Sequence, residues 1–156
     1  MWRSRLTRVG LALLLVGWAG SARGQTAVPD PSVDLPRVGG VALGDSASAV
    51  LTALGNPERR QESLGLRFWD YQLRGISLTW DKDDHRVHVI VLSKRSAGAV
   101  TGVRVGDSAA TIQARWGAAA RARERGRFLD FVRHGWTCTA EMKQGIVVEI
   151  TLLLVG

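Results

Sequence analysis

The spacing of apolar residues predicts one helix followed by three strands in the first half of the chain. Residues 47–54 place Ala, Val, Leu and Leu at positions i, i+3, i+4 and i+7, which is one face of a helix, and Gly55 ends that helix. Residues 69–73 and 76–81 alternate between apolar and polar, as half-buried strands do. Residues 87–92 are almost continuously apolar, which predicts a central strand covered on both faces.

The same pattern recurs in the second half of the chain. Gly44-Asp45-Ser46 returns 62 residues later as Gly106-Asp107-Ser108, and in each copy the Asp or the Ser is a good helix N-cap. A second helix follows from Ala109 and reaches Gly117, with no proline to stop it extending into residues 118–120 and the arginines beyond. Three further strands are predicted at residues 128–133, 136–141 and 147–154.

The two copies together predict an α+β protein. We expect two tandem helix–strand–strand–strand units, each a helix packed on a small antiparallel sheet. We place the first unit at residues 38–98 and the second at residues 99–156. The sequence leaves open whether the two sheets form one continuous surface.

The N-terminal residues have the order of a secretory signal peptide. Three arginines precede an apolar run at residues 9–19, and small residues follow to Gly24. That run is too short to span a membrane, and no cysteine follows it to accept a lipid. We therefore expect a signal peptide at residues 1–24, a flexible proline-bearing lead-in at residues 25–37, and a mature protein that is periplasmic or secreted, with no transmembrane span and no lipid anchor.

Charge and cysteine content narrow the function classes. Removing residues 1–24 takes away four of the 21 basic residues and none of the 14 acids, which lowers the net charge from +7 to +3. Much of the basic excess therefore belongs to the predicted signal peptide. No nucleic-acid-binding motif accompanies the remaining basic residues. The single cysteine, Cys138, excludes a disulfide framework and a cysteine-rich zinc site.

Several short motifs resemble the BamE/SmpA family. They are the Gly44-Asp45-Ser46 helix start, the Val50-x3-Leu54-Gly55-x-Pro57 helix end, Trp69-x-Tyr71, Gly75-Ile76-Ser77-Leu78-Thr79-Trp80 and Val87-x-Val89-Ile90. Two such units in one chain also look like the β-lactamase-inhibitor-protein architecture. The resemblance implies a bacterial envelope protein that binds other proteins through its sheet or loops and has no catalytic site. The lack of a lipid-accepting cysteine and the second unit depart from the usual family pattern.

Two polar constellations are candidates for chemistry, and each has a structural alternative. Asp81, Asp83, Asp84, His85 and His88 form the densest polar cluster. Odd spacing puts the two histidines on opposite faces of a strand, and a calcium loop starting at Asp81 lacks its glycine and its final acid, so a solvated turn is favoured over a metal site. Cys138 and His134 have no third orienting group, and Cys138 shares a predicted face with Trp136, which favours a buried structural thiol. We therefore predict no catalytic residues, no metal and no cofactor.

The remaining candidates are contact residues. Trp69 and Tyr71 either belong to the core or line an exposed sheet face, where such aromatics are favoured anchors. The leading hypothesis is a non-enzymatic module that binds an envelope or secreted protein. Its predicted contact residues are Trp69, Tyr71, Asp83, Asp84, Arg121, Arg123, Arg125 and Arg127. The alternative is a binder of an anionic small ligand or lipid headgroup through the Arg121–Arg133 stretch.

Overall fold

The computed structural model describes residues 35–81, 83, 85–94, 96, 98–117 and 120–155. The predicted signal peptide and most of the predicted lead-in lie outside these residues. From residue 37 to residue 93, the elements are a short hairpin, one helix and four strands: β1 (Arg37–Val38), β2 (Val41–Ala42), α1 (Ala47–Leu54), β3 (Arg59–Ser63), β4 (Leu66–Tyr71), β5 (Ile76–Asp81) and β6 (Val89–Ser93).

The same order of elements follows from residue 99 onwards. The hairpin, helix and four strands are β7 (Ala99–Val100), β8 (Val103–Arg104), α2 (Ala109–Trp116), β9 (Ala120–Arg123), β10 (Phe128–Arg133), β11 (Trp136–Lys143) and β12 (Ile146–Leu154). A single 3-10 turn at Glu124–Gly126 connects β9 to β10.

Eight of these strands form one antiparallel sheet in the order β3-β4-β5-β6-β12-β11-β10-β9. The strands β6 and β12 pair directly, with Ile90 opposite Leu152 and Val91 opposite Thr151. The prediction of two small sheets, each packed by its own helix, is therefore wrong, because both halves contribute four strands to one sheet. The domain boundary at residues 98 and 99 stays a prediction, and the two segments that it separates share this sheet.

The edge strands β3 and β9 were not predicted. The sequence of β3 is RRQES, which contains no apolar residue, and that of β9 is ARAR, whose alternation is carried only by alanine, a residue that is depleted in strands. The predicted extension of the second helix into the arginines is wrong, because α2 ends at Trp116 and residues 120–123 pair with β10. Charged side chains are a common feature of edge strands, since they discourage pairing with other chains.

One face of the sheet is buried under the two helices and the two small hairpins. The buried cluster joins the inward side chains of the strands to Val50 and Leu54 of α1 and to Ile112 and Trp116 of α2. The opposite face, which we call the outer face, is only partly buried. In β6, Ile90 and Leu92 are buried and the outward Val89 and Val91 are partly buried. The strand is therefore central in the sheet, as predicted, but its outer side is not fully covered.

In both halves, the Asp and the Ser of the shared Gly-Asp-Ser motif accept hydrogen bonds from different backbone amides. Ser46 caps α1 by accepting a hydrogen bond from the backbone N–H of Ala49, at 3.3 Å. Asp45 instead closes the preceding hairpin by accepting from the backbone N–H of Ala42, at 2.9 Å. Ser108 and Asp107 make the equivalent bonds in the second half. The serine is therefore the N-cap, which satisfies one of the free amides of the first helical turn.

Candidate functional site

The outer face of the sheet is an open surface to which all eight strands contribute. Its central strands present hydroxyl and β-branched or leucine side chains, all partly exposed: Ser77, Thr79, Val89, Val91, Thr137, Thr139, Thr151 and Leu153. Charged side chains on this face lie towards its two lateral edges and at one end of the strands. The face therefore has a weakly polar centre and a charged rim, which is how the surface of a protein interface is commonly organised.

Trp69 and Tyr71 lie on the opposite, buried face. Trp69 packs edge-on against Trp80 with ring centroids 4.6 Å apart, and the guanidinium of Arg60 covers it at 4.6 Å from the ring centroid. Tyr71 is only 1% exposed and donates its hydroxyl to the backbone carbonyl of Gly55 at 2.9 Å. Burial raises the pKa of the Tyr71 hydroxyl. Both aromatics serve the core in the folded chain, as the alternative interpretation of the sequence had it.

The predicted acidic contact residues lie in the connection after β5. Asp83 is exposed in a turn, and Asp84 lies outside the described residues. Beside them, His85 Nδ1 is 3.1 Å from the guanidinium of Arg67, which has only N–H groups to offer, so Nδ1 is the acceptor. Among the described residues, no group of three potential metal ligands comes together.

The arginine stretch forms the β9 edge of the sheet and the turn beyond it. Arg121, Arg123, Arg125 and Arg127 are all exposed. Two of them are already paired with carboxylates: Arg123 with Asp130, and Arg127 with Glu141 at 3.1 Å and with Glu124 at 3.8 Å. The stretch therefore has less unpaired positive charge than its sequence suggests.

Asp130 is the centre of a fully satisfied polar network on the outer face. It accepts a forked hydrogen bond from the Arg123 guanidinium, one arm of which is 2.9 Å long, and a second bond from Thr139 at 2.7 Å. Partial burial alone would raise the pKa of Asp130, but the bonds from Arg123 and Thr139 outweigh it and lower that pKa. The same guanidinium lies over the Phe128 ring, 5.3 Å from its centroid. The network thus combines an ion pair with a cation–π contact.

An equivalent arrangement at the other edge lacks its arginine, and the sequence analysis did not identify it. Asp70 lies opposite Arg59 and Ser77, just as Asp130 lies opposite Arg121 and Thr139. Phe68 lies opposite Gln61, as Phe128 lies opposite Arg123. The partly buried Asp70 carboxylate makes no hydrogen bond or ion pair with any described residue. The signal that was available is the recurrence of Phe-x-Asp at residues 68–70 and 128–130.

Cys138 lies in the buried face of β11. It is 0% exposed, and burial raises the pKa of its thiol. A protonated, inaccessible thiol is a poor nucleophile. His134 is exposed in the turn before β11.

The sequence matches no protein-family model and no curated protein sequence. Two solved structures share the fold. An extracellular protein containing an SCP domain from Bacillus anthracis superposes with a TM-score of 0.58 at 11% identity over 71% of this chain and 43% of that chain. A cysteine-rich secretory protein from Staphylococcus aureus gives a TM-score of 0.52 at 9% identity over 72% of this chain and 44% of that chain. This chain therefore spans less than half the length of either protein.

These comparisons correct the family resemblance. The BamE/SmpA resemblance and the β-lactamase-inhibitor-protein architecture are not supported, because no family model matches and the structural neighbours are proteins of other descriptions. The motifs that carried the resemblance are helix caps and strand alternation, which many folds need. In the described part of the chain, neither helix is long and apolar enough to cross a membrane.

Proposed function

We propose that this chain is an exported, non-enzymatic module that binds another protein through the outer face of its sheet. The observation that carries the proposal is the open face itself: eight paired strands with one side packed and the other side uncovered among the described residues. A sheet needs only one covered face for its own stability. The second face is then available for contact.

The size of the outer face suits a protein partner. Seven strand spacings of about 4.8 Å make it roughly 34 Å wide, and strands of six residues make it roughly 17–20 Å long. The resulting area of about 600 Å² approaches the ~800 Å² per partner of a typical stable interface.

The chemistry of the face favours a protein over an anionic headgroup. Arg123 and Arg127, which lie at the arginine-rich edge, are held by Asp130 and Glu141. A headgroup would have to compete with these carboxylates. The central threonines have hydroxyl groups to offer a phosphate, but the described centre of the face has no cation to balance its charge. Its threonines and valines instead match the weakly polar surface of another protein.

Export is supported by two independent features. The first 24 residues have the order of a signal peptide. The two structural neighbours are described as an extracellular protein and a secretory protein. A partner that is itself extracytoplasmic follows from export.

Site-specific photo-crosslinking tests the proposal. A photoreactive phenylalanine at Val91, in the centre of the outer face, is compared with the same group at Ala49, which is exposed on α1. We expect one protein to be crosslinked from Val91 and not from Ala49 in the extracytoplasmic fraction of the native host.

The crosslinked protein is then purified and titrated with the untagged chain. Thr151→Arg, which adds a charged side chain beside Val91 on the outer face, should weaken the complex at least tenfold. Equal crosslinking from both positions, or unchanged affinity in the variant, would overturn the proposal.

A further inference from the structure

The outer face carries one polar network in which an arginine pairs with the aspartate and one in which no described arginine does. At the β9 edge, Arg123 covers Phe128 and forks onto Asp130, which Thr139 also supports. At the β3 edge, the carboxylate, the aromatic ring and the hydroxyl are present at matching register positions as Asp70, Phe68 and Ser77.

The missing component is the guanidinium. The position that Arg123 occupies opposite Phe128 is taken by Gln61 opposite Phe68. A glutamine has no charge to offer the carboxylate, and Gln61 makes no hydrogen bond to Asp70 in the structure. The neighbouring Arg59, although opposite Asp70, is likewise not paired with it.

No described residue pairs with the Asp70 carboxylate, so it is open to a donor from outside, and the chain itself supplies the equivalent donor at the other edge. We propose that Phe68, Asp70 and Ser77 form a receptor for an arginine side chain presented by the partner protein. The guanidinium stacks on Phe68 and forks onto Asp70, as that of Arg123 does on Phe128 and Asp130. This inference rests on the proposed function for its partner, but the receptor itself is testable without one.

A second copy of this chain is the less suitable donor. Both lateral edges of the outer face end in an arginine, Arg59 at one and Arg121 at the other, each opposite its aspartate. Any two-fold stacking of two outer faces that aligns their edges therefore places arginine over arginine, and like charges in contact disfavour association. A different protein needs to bring only one arginine, which can reach Asp70 from the Gln61 side as Arg123 reaches Asp130 beside Arg121.

The test is an NMR titration of the full folded chain with N-acetyl-L-arginine amide, with the citrulline analogue as the uncharged control of the same shape. Because the probe makes one exposed ion pair and one cation–π contact, we expect a dissociation constant on the order of 10 mM. The amide shifts should centre on residues 68–70 and 77. Citrulline should produce no shifts there.

Three variants make the test decisive. Asp70→Asn should weaken arginine binding at least tenfold. Gln61→Arg should fill the receptor from within, abolish binding of the probe and raise the melting temperature by roughly 2–4 °C. The double variant R123Q/R127Q removes both guanidinium groups that contact Phe128, and should gain arginine binding at Asp130.

The outcomes separate this inference from the proposed function. Arginine shifts that centre elsewhere, that citrulline reproduces, or that survive in Asp70→Asn would overturn the receptor. A receptor that behaves as expected, together with crosslinking that finds no protein at Val91, would retain the arginine site and refute the protein-binding function. Crosslinking from Val91 with no arginine binding at Asp70 would refute only the receptor.

Discussion

Replacing Ile90 by Ala should expose Cys138 to thiol reagents, although the two residues belong to different halves of the chain. Ile90 lies in β6 and pairs with Leu152 of β12, which in turn pairs with Cys138 of β11. All three side chains are 0% exposed and belong to one buried cluster. We therefore expect that Cys138 is labelled only when the sheet opens at the pairing of β6 with β12, which joins the two halves.

The magnitude follows from the size of the cavity. Trimming a fully buried isoleucine to alanine costs about 3 kcal/mol of unfolding free energy. If Cys138 reacts only through cooperative opening, its labelling rate in native buffer should rise about 150-fold. The assay is reaction with an excess of a chromogenic disulfide reagent at mildly alkaline pH, compared with chemical denaturation of the same variant.

Val91→Ala is the matched control. It lies next to Ile90 in the same strand, but its side chain is on the outer face and is only partly buried. It should accelerate labelling far less. If Ile90→Ala lowers the denaturation midpoint but leaves the labelling rate of Cys138 unchanged, the halves open independently and the shared core is refuted.

Three further predictions concern local features. Ser46→Ala and Ser108→Ala should each lower the unfolding free energy, measured by chemical denaturation, by about 1 kcal/mol, because each removes a helix cap. The two losses should add in the double variant, since the caps are separate. A loss below about 0.3 kcal/mol for both would contradict the capping geometry. Because the pKa of Asp130 is lowered, its ion pair stabilises the fold above pH ~4 and loses that effect as the pH falls. Asp130→Asn should therefore flatten the pH dependence of the melting temperature below pH ~4. An unchanged slope would count against the pairing with Arg123. Leu64 is 99% exposed and has a φ of 52° in the β3–β4 turn. Because asparagine adopts this conformation more readily, Leu64→Asn should raise the unfolding free energy by about 0.5 kcal/mol. A loss of stability would show that Leu64 has a packing role.

The local elements were accessible from the sequence because short-range rules determine them. The first helix begins after Ser46 and ends before Gly55, as its apolar spacing and caps predicted. The alternation in residues 76–81 identified a strand with its apolar side inward. These features depend on neighbours within a few residues, and such dependence is visible in one sequence.

The joining of the sheets was not accessible in the same way. The pairing of β6 with β12 connects residues about 60 positions apart, and both strands are apolar runs that would suit any central position. Periodicity also could not say which side of β4 is covered. Trp69 and Tyr71 share one side of that strand, and only the packing of α1 and the hairpins makes that side the core.

The charged edge strands link the missed elements to the proposed function. Arg59 and Arg60 in β3, and Arg121 and Arg123 in β9, make strand addition at either edge unfavourable for most chains. The edges are thereby protected, and the outer face is left as the surface through which a partner can be bound. Because the two edges match in register yet differ at Gln61 and Arg123, that face is not symmetric in charge. A partner with an arginine above Asp70 would then bind in one orientation and be excluded in the reversed one, where its arginine would meet Arg123.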